Sequence, residues 1–165
     1  MKIKDLMILM FPFIIFSVVM IFAVEFIDLD EKKPIETSST NITSTEMGLF
    51  LKANEERTEK LDWSYCLHDL AIDRSKDMVE KDYFSHEDPE TGNVETWNKI
   101  DEACGKYSKA GENLVMRFSS YEEAHEALMN SKLHRDNIVN VKFKEMGVGC
   151  YENVCTELFG SFVNN

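Results

Sequence analysis

The sequence predicts an α+β fold in which amphipathic helices cover an antiparallel sheet near the C-terminus. Residues 47–128 contain runs in which apolar side chains recur every three or four positions, the period of a helix with one buried face. Residues 146–163 instead alternate apolar with small or polar side chains on both sides of a tight turn, which is typical of a hairpin. The order of helices before strands, without an internal repeat, favours this fold class.

Capping residues and apolar spacing place the main helices. The first is predicted to begin at Met47, and the second follows Ser64, whose hydroxyl can cap a helix, and ends near Lys81. Ser120 and Glu123 form a capping box that opens a later helix. The stretches between are expected to be a loop (83–92), a short helix (94–103) and a strand or a turn into one (110–118).

The four cysteines all follow the apolar N-terminal segment, and an even number is typical of exported proteins with disulfides. If Cys150 and Cys155 flank a hairpin with a two-residue turn, they face each other as a non-hydrogen-bonded pair that can be bridged. Cys66 is then left to pair with Cys104. Four cysteines allow three pairings, and free buried thiols or a metal site are the alternatives.

The N-terminus is predicted to direct the protein out of the cytoplasm. Residues 6–24 carry no charge and follow Lys2 and Lys4, and a bilayer core takes about 20 apolar residues to cross. The lysines favour a cytoplasmic N-terminus, so we expect a single-pass protein of the cell membrane with its domain outside, or a secreted protein after signal cleavage. The predicted division is a signal anchor or signal peptide (1–26), a polar stalk (27–46) and a folded domain (47–165).

The chain is acidic, with 30 Asp and Glu against 18 Lys and Arg and a net charge of −12. Such a surface repels nucleic acid and anionic lipid. Nucleic acid is therefore excluded as a partner, and contact with the membrane is expected through the N-terminal helix alone.

Five short motifs follow one another in the order seen in a known family. They are Asn54-Glu-Glu-Arg57, Tyr83-Phe-Ser-His86 with Pro89, Gly111-Glu-Asn-Leu114, Met129-Asn-Ser131 with His134-Arg-x-Asn-Ile138, and Met146-Gly-Val-Gly149. In this order they resemble the CAP superfamily (the SCP, PR-1 and Ag5 type), and most of all its short extracellular prokaryotic branch. The likeness covers residues 47–163 and implies a three-layer α-β-α sandwich with a central cavity.

The resemblance implies that His86, Glu112 and His134 line this cavity. Two imidazoles and one carboxylate match a zinc site with an open position for water, and family members are reported to bind divalent metal through such histidines. These three residues are predicted to bind zinc or another divalent metal, and the alternative is a hydrogen-bonded polar cluster without metal. The predicted neighbours of the cavity are Ser131, Arg135 and Asn113.

The sequence departs from the family pattern at two positions. Ser131 stands where many members have a second cavity glutamate, and Leu128 replaces the usual tryptophan. The loss of a carboxylate weakens the case for acid/base catalysis by a pair of carboxylates. Arg135 is interpreted as structural through bonds to carbonyls or a carboxylate, and Asn137 through a turn. Packing or surface roles are expected for the other histidines, His68 and His125.

Two classes of function fit these observations. The first is an extracellular binding module for a small apolar molecule, a peptide or a cell-envelope component, with or without a divalent ion. The second is a metal-dependent hydrolase that acts on peptides, with His86, His134 and Glu112 as ligands or base. The missing glutamate and the lack of an H-E-x-x-H helix favour the first. No nucleophile elbow surrounds Ser85 or Ser131, so a serine hydrolase is not expected.

Overall fold

The computed structural model describes residues 41–163. The predictions for residues 1–26, and for the stalk up to residue 40, lie outside this range. In chain order the elements are α1 (Ser44–Glu55), β1 (Asp62–Trp63), α2 (Tyr65–Glu80), α3 (Thr96–Ala103), β2 (Tyr107–Met116), α4 (Tyr121–Asn130), α5 (Lys132–Ile138), β3 (Glu145–Tyr151) and β4 (Val154–Phe162). Within the described range, no helix has both the length and the apolar character needed to cross a bilayer.

The four strands form one sheet in the order β1-β3-β4-β2. Strand β4 pairs antiparallel with both β3 and β2, as predicted for the C-terminal hairpin. The two residues of β1 pair parallel with β3, so the sheet is mixed and not wholly antiparallel. The sequence did not reveal β1 because two residues are too short for a period-2 pattern.

Helices pack on both faces of this sheet. Along β4, Cys155 and Phe159 belong to a large apolar cluster with α1 and α4, whereas Leu158 belongs to a second cluster with Leu67 of α2 and Ile100 of α3. This alternation follows from the period of a strand, in which successive side chains point to opposite faces. The α+β class is confirmed, with five helices and four strands in residues 41–163.

Helix α2 lies unusually close to β3 because two glycines face it. A Cβ at Gly147 would collide with the backbone N of His68, and one at Gly149 with the backbone N of Ile72. The close approach allows the His68 ring to bond the Val148 carbonyl O at 2.6 Å through Nδ1. His68 is thus a buried packing residue, as the sequence predicted.

Helix α1 begins at Ser44, ahead of the predicted domain boundary at residue 47. Thr43 and Glu46 form a capping box in which the Thr43 hydroxyl accepts from Glu46 N at 3.2 Å and Glu46 Oε2 accepts from Thr43 N at 2.7 Å. Glu46 Oε1 also accepts from the backbone N of Cys150 at 2.9 Å. Glu46 is therefore a buried bridge between the start of the domain and the C-terminal hairpin.

Both predicted disulfides are present. Cys150 and Cys155 are register partners in the β3–β4 hairpin with their Cα atoms 4.1 Å apart. Cys66 of α2 pairs with Cys104, which ends α3, over a Cα distance of 5.7 Å. The described cysteines include no free thiol. The Cys66–Cys104 bridge links the C-terminal end of α3 covalently to α2.

We predict that Gly149→Ala destabilises the domain by on the order of 3 kcal/mol, because the added methyl meets helix backbone that cannot move without separating α2 from the sheet. Chemical denaturation of the purified domain measures this. Gly92→Ala is the control: nothing lies within 4 Å of that position, and its φ of 70° leaves only a conformational cost of about 1 kcal/mol. Equal losses in both variants would contradict the close-packing argument.

Candidate functional site

The centre of the candidate site is a buried carboxylate on β2. Glu112 is 5% exposed, and its Oε1 lies 2.7 Å from His86 Nδ1. Its Oε2 accepts from the Thr96 hydroxyl at 3.0 Å and lies 3.6 Å from Arg74 Nε. Since a carboxylate only accepts, Nδ1 of His86 carries the hydrogen in this bond. The structure therefore brings together His86 and Glu112, two of the three residues predicted to form the site.

Arg74 of α2 holds the loop that carries His86. Its Nη2 donates to the carbonyl O of Ser85 at 2.5 Å and to that of His86 at 2.9 Å. Its Nη1 donates to the Tyr83 hydroxyl, and its guanidinium lies over the Tyr83 ring at 5.4 Å. One arginine thus fixes the loop backbone while it also faces the Glu112 carboxylate.

Tyr83 also helps to hold the loop that carries His86. Its hydroxyl donates to Asp77 Oδ2 at 2.5 Å, and burial together with this bond raises the pKa of Tyr83 to about 12. The hydroxyl therefore stays protonated and keeps donating throughout the physiological range. The role of Arg74 was not predicted from the sequence, because a lone arginine within a helix carries no local signal of what it contacts.

The third predicted site residue, His134, lies on α5, which two asparagines fasten to β2. Asn113 Nδ2 donates to the His134 carbonyl O at 3.1 Å, and Asn137 Nδ2 donates to the Glu112 carbonyl O at 3.2 Å. The two asparagines also bond each other, from Asn137 Nδ2 to Asn113 Oδ1, at 2.9 Å. Asn137 is structural, as predicted. It does not lie in a turn, however, but in helix α5, from which it bonds strand β2.

The two site imidazoles interact electrostatically. Burial lowers the pKa of His134, and the positive charge that His86 can carry lowers it further. The His86 side chain is 50% exposed, so it is the ring that solvent or a ligand can reach. The pair therefore combines a reachable imidazole with a more enclosed, neutral one.

The side chains do not form a ready three-ligand metal centre. Within residues 41–163, no three His, Cys, Asp or Glu side chains are placed to hold one ion. Both oxygens of Glu112 already bond protein groups, so this carboxylate supports His86 in the way a residue behind a metal-binding histidine does. The side chains left to bind a divalent ion would be the two imidazoles, and metal binding by His86, Glu112 and His134 stays a prediction.

The predicted neighbours of the cavity have mainly structural contacts. Arg135 Nη1 donates to the Met129 carbonyl O at 3.1 Å, which agrees with the predicted structural role. Ser131 lies between α4 and α5 and makes no side-chain capping bond. His125 is buried on α4, as expected for a packing residue, and burial lowers its pKa.

A fully buried acid, which was not predicted from the sequence, lies behind the site. Glu157 of β4 is 0% exposed, and its Oε2 accepts from Asn113 Nδ2 at 3.0 Å. Its Oε1 has no hydrogen-bond partner among the described residues, and burial raises the pKa of Glu157 to about 7. Its burial could have been inferred from the strand period, because Glu157 lies between Cys155 and Phe159, which point to the same face of the strand.

The fold and this site define the class of protein. A model of the cysteine-rich secretory protein family, CAP, matches residues 54–159, and the chain belongs to this family. The match confirms the family that the five sequence motifs indicated.

Two curated relatives come from Bacillus subtilis. The chain is 30% identical to the uncharacterized membrane protein YlbC, over 79% of this chain and 37% of that protein. It is 32% identical to the uncharacterized protein YkwD, over 74% of this chain and 49% of that protein. The chain therefore spans less than half the length of these curated relatives.

Solved structures agree on the fold. An extracellular protein of Bacillus anthracis that contains an SCP domain superposes with a TM-score of 0.63 at 28% identity, covering 72% of this chain and 40% of that one. An outer surface protein of Borrelia burgdorferi gives a TM-score of 0.63 over 73% of this chain and 97% of that one. At 17% identity, the second likeness concerns the fold alone.

We predict that Glu157→Gln stabilises the domain more at pH 8 than at pH 5. The folded-state pKa of about 7 lies above the ordinary 4.5, so ionisation favours the unfolded chain and stability is lost as pH rises through this window. A glutamine keeps the bond from Asn113 without this loss. The gap between the two proteins should widen by on the order of 2 kcal/mol, measured by denaturation at both pH values.

Comparing the two proteins at each pH removes the contribution of every other titrating group. A gap that stays constant between pH 5 and pH 8 would show that Glu157 does not ionise within this range.

Proposed function

We propose that this domain is an extracellular binding module whose site surrounds His86, Glu112 and His134 at the outer strand of the sheet. Its ligand is a small apolar molecule, a peptide or a component of the cell envelope. The observation that carries the proposal is the engagement of Glu112, whose two oxygens accept bonds from His86 and Thr96. A carboxylate held in this way fixes the tautomer and the position of the His86 ring, and so organises the surface around it.

The contacts around the site support binding more than hydrolysis. A hydrolase needs a base, or a metal-bound water, that can reach the scissile bond. Glu112 is hydrogen-bonded to His86. Ser131 stands where many family members have a second glutamate, so that carboxylate is missing. Arg74, Asn113 and Asn137 meanwhile fix the loop and α5 on either side of β2, which is the rigidity expected of a preformed binding site.

A divalent ion, when bound, would be held by His134 and by Nε2 of His86, while Glu112 accepts the other ring N–H of His86. Zinc in such a site supplies a Lewis acid that can hold a water or an anionic group of the ligand. The chain's own part is to fix the His86 tautomer and to keep His134 neutral.

The proposed location is outside the cytoplasm. Two disulfides favour an oxidising compartment, and the relatives include proteins called extracellular, outer surface and membrane proteins. We place the domain on the outer face of the cell membrane, held by residues 1–26 as a single-pass anchor. Secretion after signal cleavage is the alternative.

For the metal, we predict that the purified domain binds zinc at one site, and that His86→Ala and His134→Ala both abolish binding. Glu112→Gln should weaken it by about tenfold or more, because the residue acts behind His86 and not as a ligand. Metal analysis and competition with a chromogenic chelator measure these affinities. His125→Gln is the matched control, since this histidine lies on α4 outside the site, with its Nε2 3.6 Å from Glu56 Oε1.

Unchanged zinc binding in both alanine variants would exclude a site on these histidines. For the choice between the two functional classes, an unbiased peptide library should remain intact on prolonged incubation with the zinc-loaded domain. Cleavage that disappears with chelator and in His86→Ala would reverse the proposal in favour of a hydrolase.

A further inference from the structure

Strand β2 forms one edge of the sheet, and within the described chain only its β4 side is paired with a strand. Arg117 N donates to the Asn153 carbonyl O at 3.1 Å, which marks a hydrogen-bonded pair, and such pairs alternate along antiparallel strands. Every second residue from Ala110 to Met116 therefore points its N–H and C=O away from β4. The bond from Asn137 to the Glu112 carbonyl agrees with this outward direction.

The last part of this edge has no bonded partner, although Leu114 itself is only 5% exposed and Met116 is half-buried. Asn137 covers the edge at Glu112, but the outward N–H and C=O groups of Leu114 and Met116 have no hydrogen-bond partner in residues 41–163. We call residues 114–116 the edge segment. Unpaired groups in this spacing are a template for another strand, and many protein domains bind extended peptides in this way.

An apolar groove of about 320 Å³ borders the edge segment. Met116 belongs to both, and the groove is also lined by Met78, Tyr83 and Phe84. Phe84 is 41% exposed although it is a large apolar side chain. Methionine adapts to ligands of irregular shape, so this groove suits an apolar side chain of a partner that lies along the edge.

A charged group stands at the end of the same surface. Asp82 and Arg117 both line the groove, and Arg117, which directly follows the edge segment, is exposed. Its guanidinium has no carboxylate within ion-pair distance among the described residues, although the chain has far more acidic than basic side chains. Arg74, by contrast, lies against Glu112. An unpaired arginine in an acidic protein is complementary to a carboxylate on a partner.

We propose that β2 binds an extended peptide, which adds to the sheet as a further strand along the edge segment. The peptide places an apolar side chain in the groove and a carboxylate against Arg117. This inference rests on the proposed binding function and selects the peptide among its three ligand classes. It also assigns the loop with His86 to the rim of the peptide site, since Tyr83 and Phe84 of that loop line the groove.

The test uses fluorescent octapeptides that alternate apolar and neutral polar residues, each made once with a glutamate and once with glutamine in its place. At least one glutamate peptide should bind the purified domain, more tightly than its glutamine partner, in an anisotropy titration. Arg117→Gln should abolish this preference. Lys109→Gln removes the same charge from the other end of β2 and should preserve it.

The backbone bonds are tested by a matched pair of substitutions. Met116→Ala and Met116→Pro both remove the side chain, but only proline removes the outward N–H, which the ladder with β4 does not use. Proline should weaken peptide binding by about tenfold relative to alanine, the effect of losing one or two hydrogen bonds. Amide exchange in the wild-type protein gives a measurement that needs no variant. Exchange of Leu114 and Met116 should slow when peptide binds, while Val115 changes little.

The outcomes separate this inference from the proposed function. If no peptide of the panel binds below about 1 mM, or if exchange at Leu114 and Met116 is unchanged on binding, the edge is not a peptide site. Equal affinities in the proline and alanine variants would also overturn it. A peptide that is bound and then cleaved, as detected by mass spectrometry, would instead count against the binding function.

Discussion

Two adjacent residues of one strand, Glu112 and Asn113, hold both halves of the candidate site. Successive side chains of a strand point to opposite faces, so the carboxylate meets the His86 loop on the α2 side while the amide reaches His134 on the α5 side. A shift of β2 by one residue would exchange these faces and separate both contacts. The long pairing of β2 with β4 therefore fixes the site as well as the sheet.

The loop half of the site depends on how closely α2 approaches the sheet. Gly147 and Gly149 allow the helix backbone to lie directly on β3, and the disulfide from Cys66 fixes α3 to that helix. Arg74 is carried to the loop and to Glu112 by this packing. Small residues in one strand thus determine the position of the Arg74 guanidinium on a helix, so a larger residue at either glycine is expected to displace Arg74 as well.

Much of this arrangement was predictable from local patterns, and the remainder depends on contacts distant in sequence. The hairpin, the Cys150–Cys155 disulfide and the cap at Ser120 follow from short-range chemistry and were predicted, whereas Cys66–Cys104 was predicted only as the pair that remained. The burial of Glu157 and the role of Arg74 depend on partners that only the folded chain brings near, and no spacing rule reports them. The early start of α1 is different, because Thr43 and Glu46 are a capping signal that the polar composition around them concealed.

The bridge made by Glu46 has a mechanical consequence for any force applied at the N-terminal side of the domain. Any pull that arrives along the chain before Thr43 meets the capping box first, and Glu46 passes it to the backbone of Cys150. That strand is cross-linked to its neighbour by a covalent bridge. Tension entering at this end is thereby passed to a hairpin whose two strands are covalently joined, at a distance from the asparagines that hold α5 on β2.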